Sequence, residues 1–191
     1  MNVLWRELRR SVVAWLALSV LTGLVYPLAI TTLARLLFPE RASGSLVRVD
    51  GVVRGSELVG QDWRGERWFH GRPSATSPAT YGTLPSSGSN LGPTNPVLAR
   101  AFVERAAALR AQGFTGLLPV DLLTSSASGL DPHVSPAAAR GQAQRVARAR
   151  GLDPARVRAL VDEHVEGRLL GVLGEPRVNV LALNLALEAL E

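Results

Sequence analysis

The sequence predicts an α+β protein: a single N-terminal transmembrane helix followed by one soluble domain, a small sheet covered by helices. Three observations lead there. Between Arg10 and Arg35 run 24 residues without a charge. An Asp50-Gly51 pair stands between valine-rich stretches. Asn95-Pro96, Ser135-Pro136 and Asp153-Pro154 each set a capping side chain before a proline, a helix-start signal. The chain has 191 residues, which leaves room for one domain of about 150 beside the span.

The uncharged run, SVVAWLALSVLTGLVYPLAITTLA, reaches about 36 Å as a helix, enough for a hydrocarbon core of roughly 30 Å with some tilt. A cleaved signal peptide has a shorter apolar core. Here the run continues past Ala29 into Ile30, Leu33, Leu36 and Leu37, which favours a retained anchor. Arg6, Arg9 and Arg10 precede it, against Arg35 and Arg41 at the far end. That bias predicts residues 1–10 in the cytoplasm, 11–37 across the membrane and 38–191 outside. Trp15, Ser19, Gly23, Pro27 and Thr31 recur every four residues. Ser19, Gly23 and Pro27 on that stripe suit close packing against a partner helix in lipid.

In the exported part, residues 44–60 predict a hairpin turning at Asp50-Gly51. Arg67 to Phe69 suggests a further short strand. Residues 71–96 hold one charge, Arg72, among many Ser, Thr, Gly and Pro. Such a loop is either functional or disordered. Helices are predicted from Pro96 to Gln112, from Pro136 to Gly151, from Pro154 to about Glu166, and from about Asn179 with Val180, Leu183, Leu187 and Leu190 at helical spacing.

Composition excludes several chemistries. All 21 basic residues are Arg, so P-loop and Schiff-base lysines are ruled out. Cysteine is absent, which rules out disulfides, zinc-thiolate sites and thiol nucleophiles. The net charge of +5 sits largely on the N-terminal segment, and the rest mixes its signs. No basic stripe interleaved with aromatics points to nucleic acid. GxSxG and HExxH motifs are missing. Asp131, His133 and Ser135 lie close in sequence, but a triad needs spatial alignment, and Asp-Pro and Ser-Pro are also turn and cap signals. His70, His133 and His164 show no helical metal-ligand spacing.

Seven runs together resemble the C subunit family of the Kdp high-affinity potassium-transporting P-type ATPase. They are GLVYPL at 23–28, GSELVGQ at 55–61, FHGRPSAT at 69–76, SGSNLGPTNP at 87–96, PVDLLTSSASGLDPHVSPAAA at 119–139, RVARARGL at 145–152 and GEPRVNVLALNLAL at 174–187. The chain departs from the family wording chiefly at SSASG, residues 125–129. The resemblance implies a non-catalytic subunit of a bacterial inner-membrane potassium importer. Its partners would be a potassium-channel-like subunit, a P-type ATPase subunit, a small single-helix subunit and the lipid bilayer. It implies no cofactor of the chain's own: ATP enters through the complex, and potassium is the transported ion. The family's C subunit has also been proposed as a catalytic chaperone that raises ATP affinity, and within AAARGQAQRVA Gln142 matches the nucleotide-binding glutamine of that proposal. ATP binds on the cytoplasmic side, however, whereas the charge bias places the domain outside. An anchored binding or sensor module acting alone, and an anchored hydrolase using His133 and Asp131, are the rival functions.

Overall fold

The computed structural model describes residues 2–190. Its chain divides into two compact units, one up to Leu46 and one from Val47 on.

The first unit is one long apolar helix and a short turn. Helix α1 (Asn2–Val20) passes through a π-helical turn (Leu21–Val25) into α2 (Tyr26–Leu37). The helix Val3–Leu37 holds an 18-residue stretch with a mean hydropathy of 2.0 and is long and apolar enough to cross a membrane. The π turn has a cause in the sequence. Pro27 has no N–H, and its ring crowds the carbonyl of the preceding turn. The backbone widens just before it, and Tyr26 N–H bonds to Leu21 O, five residues back. The Thr22 hydroxyl donates to Leu18 O at 2.8 Å, which helps open the turn. On an unbroken α-helix, positions four apart creep round the axis. A π turn takes in an extra residue and sets that creep back, so the Ser19–Gly23–Pro27 stripe runs straighter than in a plain α-helix. Helix α3 (Pro39–Ala42) follows.

The second unit is the α+β domain. Strands β1 (Leu46–Val49) and β2 (Val52–Ser56) form the hairpin expected at Asp50-Gly51. Both turn residues have positive φ, 51° and 77°, as a type I′ turn requires. Helix α4 (Pro96–Ala111), the short α5 (Val120–Leu123), β3 (His133–Val134), α6 (Pro136–Arg150), α7 (Pro154–Glu163), β4 (Val165–Glu166), β5 (Arg177–Asn179) and α8 (Val180–Glu188) complete it. Side chains cap the helices: Asn95 accepts from Val97 N, Ser135 from Ala138 N, Asp153 from Ala155 N and Asn179 from Ala182 N. Each such cap stabilises by about 1 kcal/mol.

The small sheet runs β3-β5-β4, antiparallel throughout. Val134, Val165 and Val178 meet at paired positions and turn inward, while His133, Glu166, Arg177 and Asn179 share the other face. The core joins these valines to Phe69, Leu109 and Phe114 and to the buried faces of α6, α7 and α8. Ala138, Ala139, Ala143 and Ala147 make the buried face of α6 thin, so neighbouring elements approach closely. At Gly141 an added Cβ would lie 2.2 Å from the Phe114 ring, so the ring requires glycine there.

Two expectations need correction. Helix α7 stops at Glu163 rather than Glu166, because His164 closes it and Val165–Glu166 turn extended to pair with β5. Burying Val165 against Val178 outweighs one more helical turn. Residues 67–69 form no strand, because side chains rather than a neighbouring strand engage the backbone there.

Beyond β4 the β4–β5 hairpin projects as an arm. Glu166 pairs with Arg177 at 2.8 Å and Arg168 with Glu175 at 2.9 Å. Leu169 and Leu173 then exchange backbone bonds of 2.8 and 3.0 Å around the tip. Leu170 and Gly171 take φ of 53° and 76°, another type I′ turn. A left-handed conformation costs a leucine roughly 1–2 kcal/mol.

Candidate functional site

The segment from Gly65 to Gly71 runs without a strand partner, yet side chains engage its carbonyls from Gly65 to His70 and the N–H groups of Phe69 and His70. Phe69 is completely buried; its N–H donates to Asn184 Oδ1 at 2.9 Å and its carbonyl accepts from Asn184 Nδ2 at 2.9 Å. The next residue repeats the arrangement. His70 N–H donates to Gln142 Oε1 at 2.8 Å, and its carbonyl accepts from Gln142 Nε2 at 3.0 Å. One amide from α8 and one from α6 thus pair with the backbone as a neighbouring strand would. This is why residues 67–69 look strand-like in sequence and lack a strand's ladder.

Arg145, Arg150 and the His70 ring supply the remaining donors. Arg145 reaches Glu66 O at 2.6 Å, Trp68 O at 2.9 Å and Gln142 Oε1 at 2.9 Å. Arg150 donates to Arg67 O at 2.8 Å and lies 4.4 Å over the Trp68 ring, a cation–π contact. The His70 ring nitrogen Nε2 donates to Gly65 O at 2.8 Å. Every carbonyl from Gly65 to His70 therefore accepts from a side chain, which at the buried Phe69 satisfies groups that water cannot reach. Burial pushes His70 below the ordinary histidine value, and the nearby Arg145 adds to this. Arg145 is itself lowered by burial, which Glu66 partly opposes.

The uncharged loop continues from this clamp and is ordered against residues 124–131. Ser74 Oγ donates to Gly129 O at 2.7 Å, Thr76 Oγ1 to Ala79 O at 2.7 Å and Ser86 Oγ to Ser128 O at 2.8 Å. Ser126 N–H bonds to Pro73 O at 3.1 Å. The Tyr81 hydroxyl donates to Arg72 O. Burial, with Asp131 nearby, pushes that phenol up to about 12. Gly129 has a φ of +71° and sits where a Cβ would lie 2.5 Å from Thr76 and 2.7 Å from Ser87 O.

Asp131, His133 and Ser135 do meet at one cleft of about 380 Å³, together with Arg72, Asp121 and Arg177. The geometry is not that of a nucleophile and its base. Ser135 Oγ donates to Asp121 at 3.1 Å while accepting from Ala138 N–H at 3.1 Å. His133 Nδ1 faces Asp131 at 3.7 Å, and Asp131 also pairs with Arg72 at 3.1 Å. Burial pushes the Asp131 carboxyl up, but His133 and Arg72 outweigh it and hold it below its ordinary value. Ser135 is occupied as a helix cap. Among the described residues no three His, Asp or Glu side chains converge as metal ligands.

Gln142 is 1% exposed, with both ends of its amide on His70. Ser19, Gly23 and Pro27 lie on the exposed membrane-length helix, and a Cβ at Gly23 would meet nothing within 4 Å. Sequence reasoning missed Asn184 and Arg145. Asn184 carried a signal: it is a polar residue on the apolar stripe of Val180, Leu183 and Leu187.

One helix long and apolar enough to cross a membrane is followed by an α+β domain whose buried polar side chains are turned onto its own backbone. The model of the KdpC family, the c chain of the K+-transporting ATPase, matches residues 8–189. The chain is 59% identical over 184 residues to the potassium-transporting ATPase KdpC subunit of Sorangium cellulosum, covering 95% of this chain and 97% of that one. It is 57% identical over 183 residues to that of Methylibium petroleiphilum, covering 95% and 96%. With that of Rhodopseudomonas palustris it shares 52% over 195 residues, covering 96% and 98%. The chain belongs to the KdpC family.

Proposed function

We propose that the chain is the non-catalytic C subunit of an ATP-driven potassium importer, in which it stabilises the assembly from outside the cytoplasm. One observation carries this: the family match runs through span and domain together, residues 8–189. In this reading the anchor packs against a partner helix, and the domain is a docking body whose clamp and loop are rigid before partners arrive. Rigidity reduces the ordering cost of docking. Arg6, Arg9 and Arg10 favour a cytoplasmic N-terminus, with the domain outside and away from ATP. Any influence on ATP use then passes through the membrane helix and the assembled complex.

The test is purification of the tagged chain from detergent-solubilised membranes. The channel-like, P-type and small single-helix subunits are expected in stoichiometric amounts, with potassium-stimulated ATP hydrolysis. A folded chain recovered alone would favour the sensor reading. Gly23→Leu, in the same experiment, should lower recovery of the partners. The site is open in the lone chain, so bulk there disturbs only a neighbouring helix. Unchanged recovery would mean that the stripe faces lipid.

A further inference from the structure

The β4–β5 arm has a polar stalk and an apolar tip, and no contact within the fold explains the tip. Leu169, Leu170, Val172 and Leu173 are all exposed, Leu170 at 84%. At the two left-handed positions of a type I′ turn the favoured residues are Asn, Asp and Gly. A leucine holds the first of them, with φ 53°, and its side chain packs on nothing inside the domain. Such a conformation persists where the side chain has a use, and this one points outward.

We propose that this tip is a plug that inserts into an apolar recess on the outward face of a membrane-embedded partner subunit of the transporter. The inference rests on the subunit reading above. Charge selects a protein partner over lipid. The stalk's two rungs, Glu166–Arg177 and Arg168–Glu175, are ion pairs whose signs cancel. A surface that docks on anionic lipid carries surplus Lys or Arg, with aromatics at the headgroup level. Residues 165–178 contain no Trp, Tyr or Phe. Four aliphatic side chains without charge, bordered by ion pairs whose signs cancel, have the layout of an interface's apolar centre and polar rim.

Absence of cysteine makes the test clean, since Leu170→Cys introduces the chain's only thiol. The full-length variant is labelled with a maleimide in two preparations, alone in lipid nanodiscs and within the purified complex. The thiol should react freely in the lone chain and roughly tenfold more slowly in the complex, as for a side chain in a desolvated interface pocket. Equal labelling in both overturns the plug. Protection in the lone chain also overturns it, in favour of lipid or a second copy. Leu170→Asn gives an independent arm. It suits the turn, so the thermal midpoint should hold or rise while recovery of the partners falls; unchanged recovery contradicts the proposal. If the wild-type chain recovers no partners, the subunit reading itself has failed.

Discussion

Replacing Asn184 with Leu should lower the thermal midpoint of the full-length chain in detergent by about 5–15 °C. The side chains are close in size, so little cavity forms. What changes is that Phe69 N–H and C=O, both bonded to the Asn184 amide, are left buried without partners. Each orphaned group costs about 1–3 kcal/mol. For a chain of this length each kcal/mol moves the midpoint by about 2–4 °C. Circular dichroism during heating measures it. A shift of a degree or less would mean that the 65–70 segment finds other partners and that the clamp does not hold it.

Gln142→Ala should have a comparable structural effect and little effect on nucleotide. It removes both backbone partners of His70 and one acceptor of Arg145, and leaves a void in a packed region. Recovery of the complex should fall with the domain's stability. In the complex that still assembles, the ATP concentration for half-maximal hydrolysis should change less than about twofold, since an amide that is 1% exposed and bonded at both ends to His70 is shielded from a phosphate. Asn184→Leu is the matched control, because it orphans the adjacent residue in the same way. A several-fold weaker ATP affinity in Gln142→Ala with assembly intact, and none in Asn184→Leu, would instead support direct nucleotide contact.

The contrast between these neighbours shows what the sequence could reveal. Caps act within three residues, so Asn95, Ser135, Asp153 and Asn179 announced their helices. Asp50-Gly51 announced its hairpin for the same local reason. The clamp spans 115 residues from Phe69 to Asn184 and 72 from His70 to Gln142, and no local periodicity encodes such a pairing. Family resemblance drew attention to Gln142 but could not reveal that its amide stands in for a strand. Strands of two or three residues, such as β3, β4 and β5, are too short for an alternating pattern to register, and the end of α7 was misplaced for that reason.

The loop of residues 71–96 was equally open in sequence, functional or disordered. Its hydroxyls settle onto the carbonyls of Ala79, Ser128 and Gly129, which orders its first part within the lone chain. Gly129 makes that approach feasible by lacking a Cβ between Thr76 and Ser87.

The central claim, an exported docking body rather than a nucleotide-contacting one, turns on which side of the membrane the domain occupies. A reporter active only outside the cytoplasm, fused after Glu191, decides it. The proposed orientation, favoured by Arg6, Arg9 and Arg10, predicts full reporter activity in intact cells. A silent reporter, with a cytoplasmic one active at the same position, would place the domain on the ATP side and contradict the account.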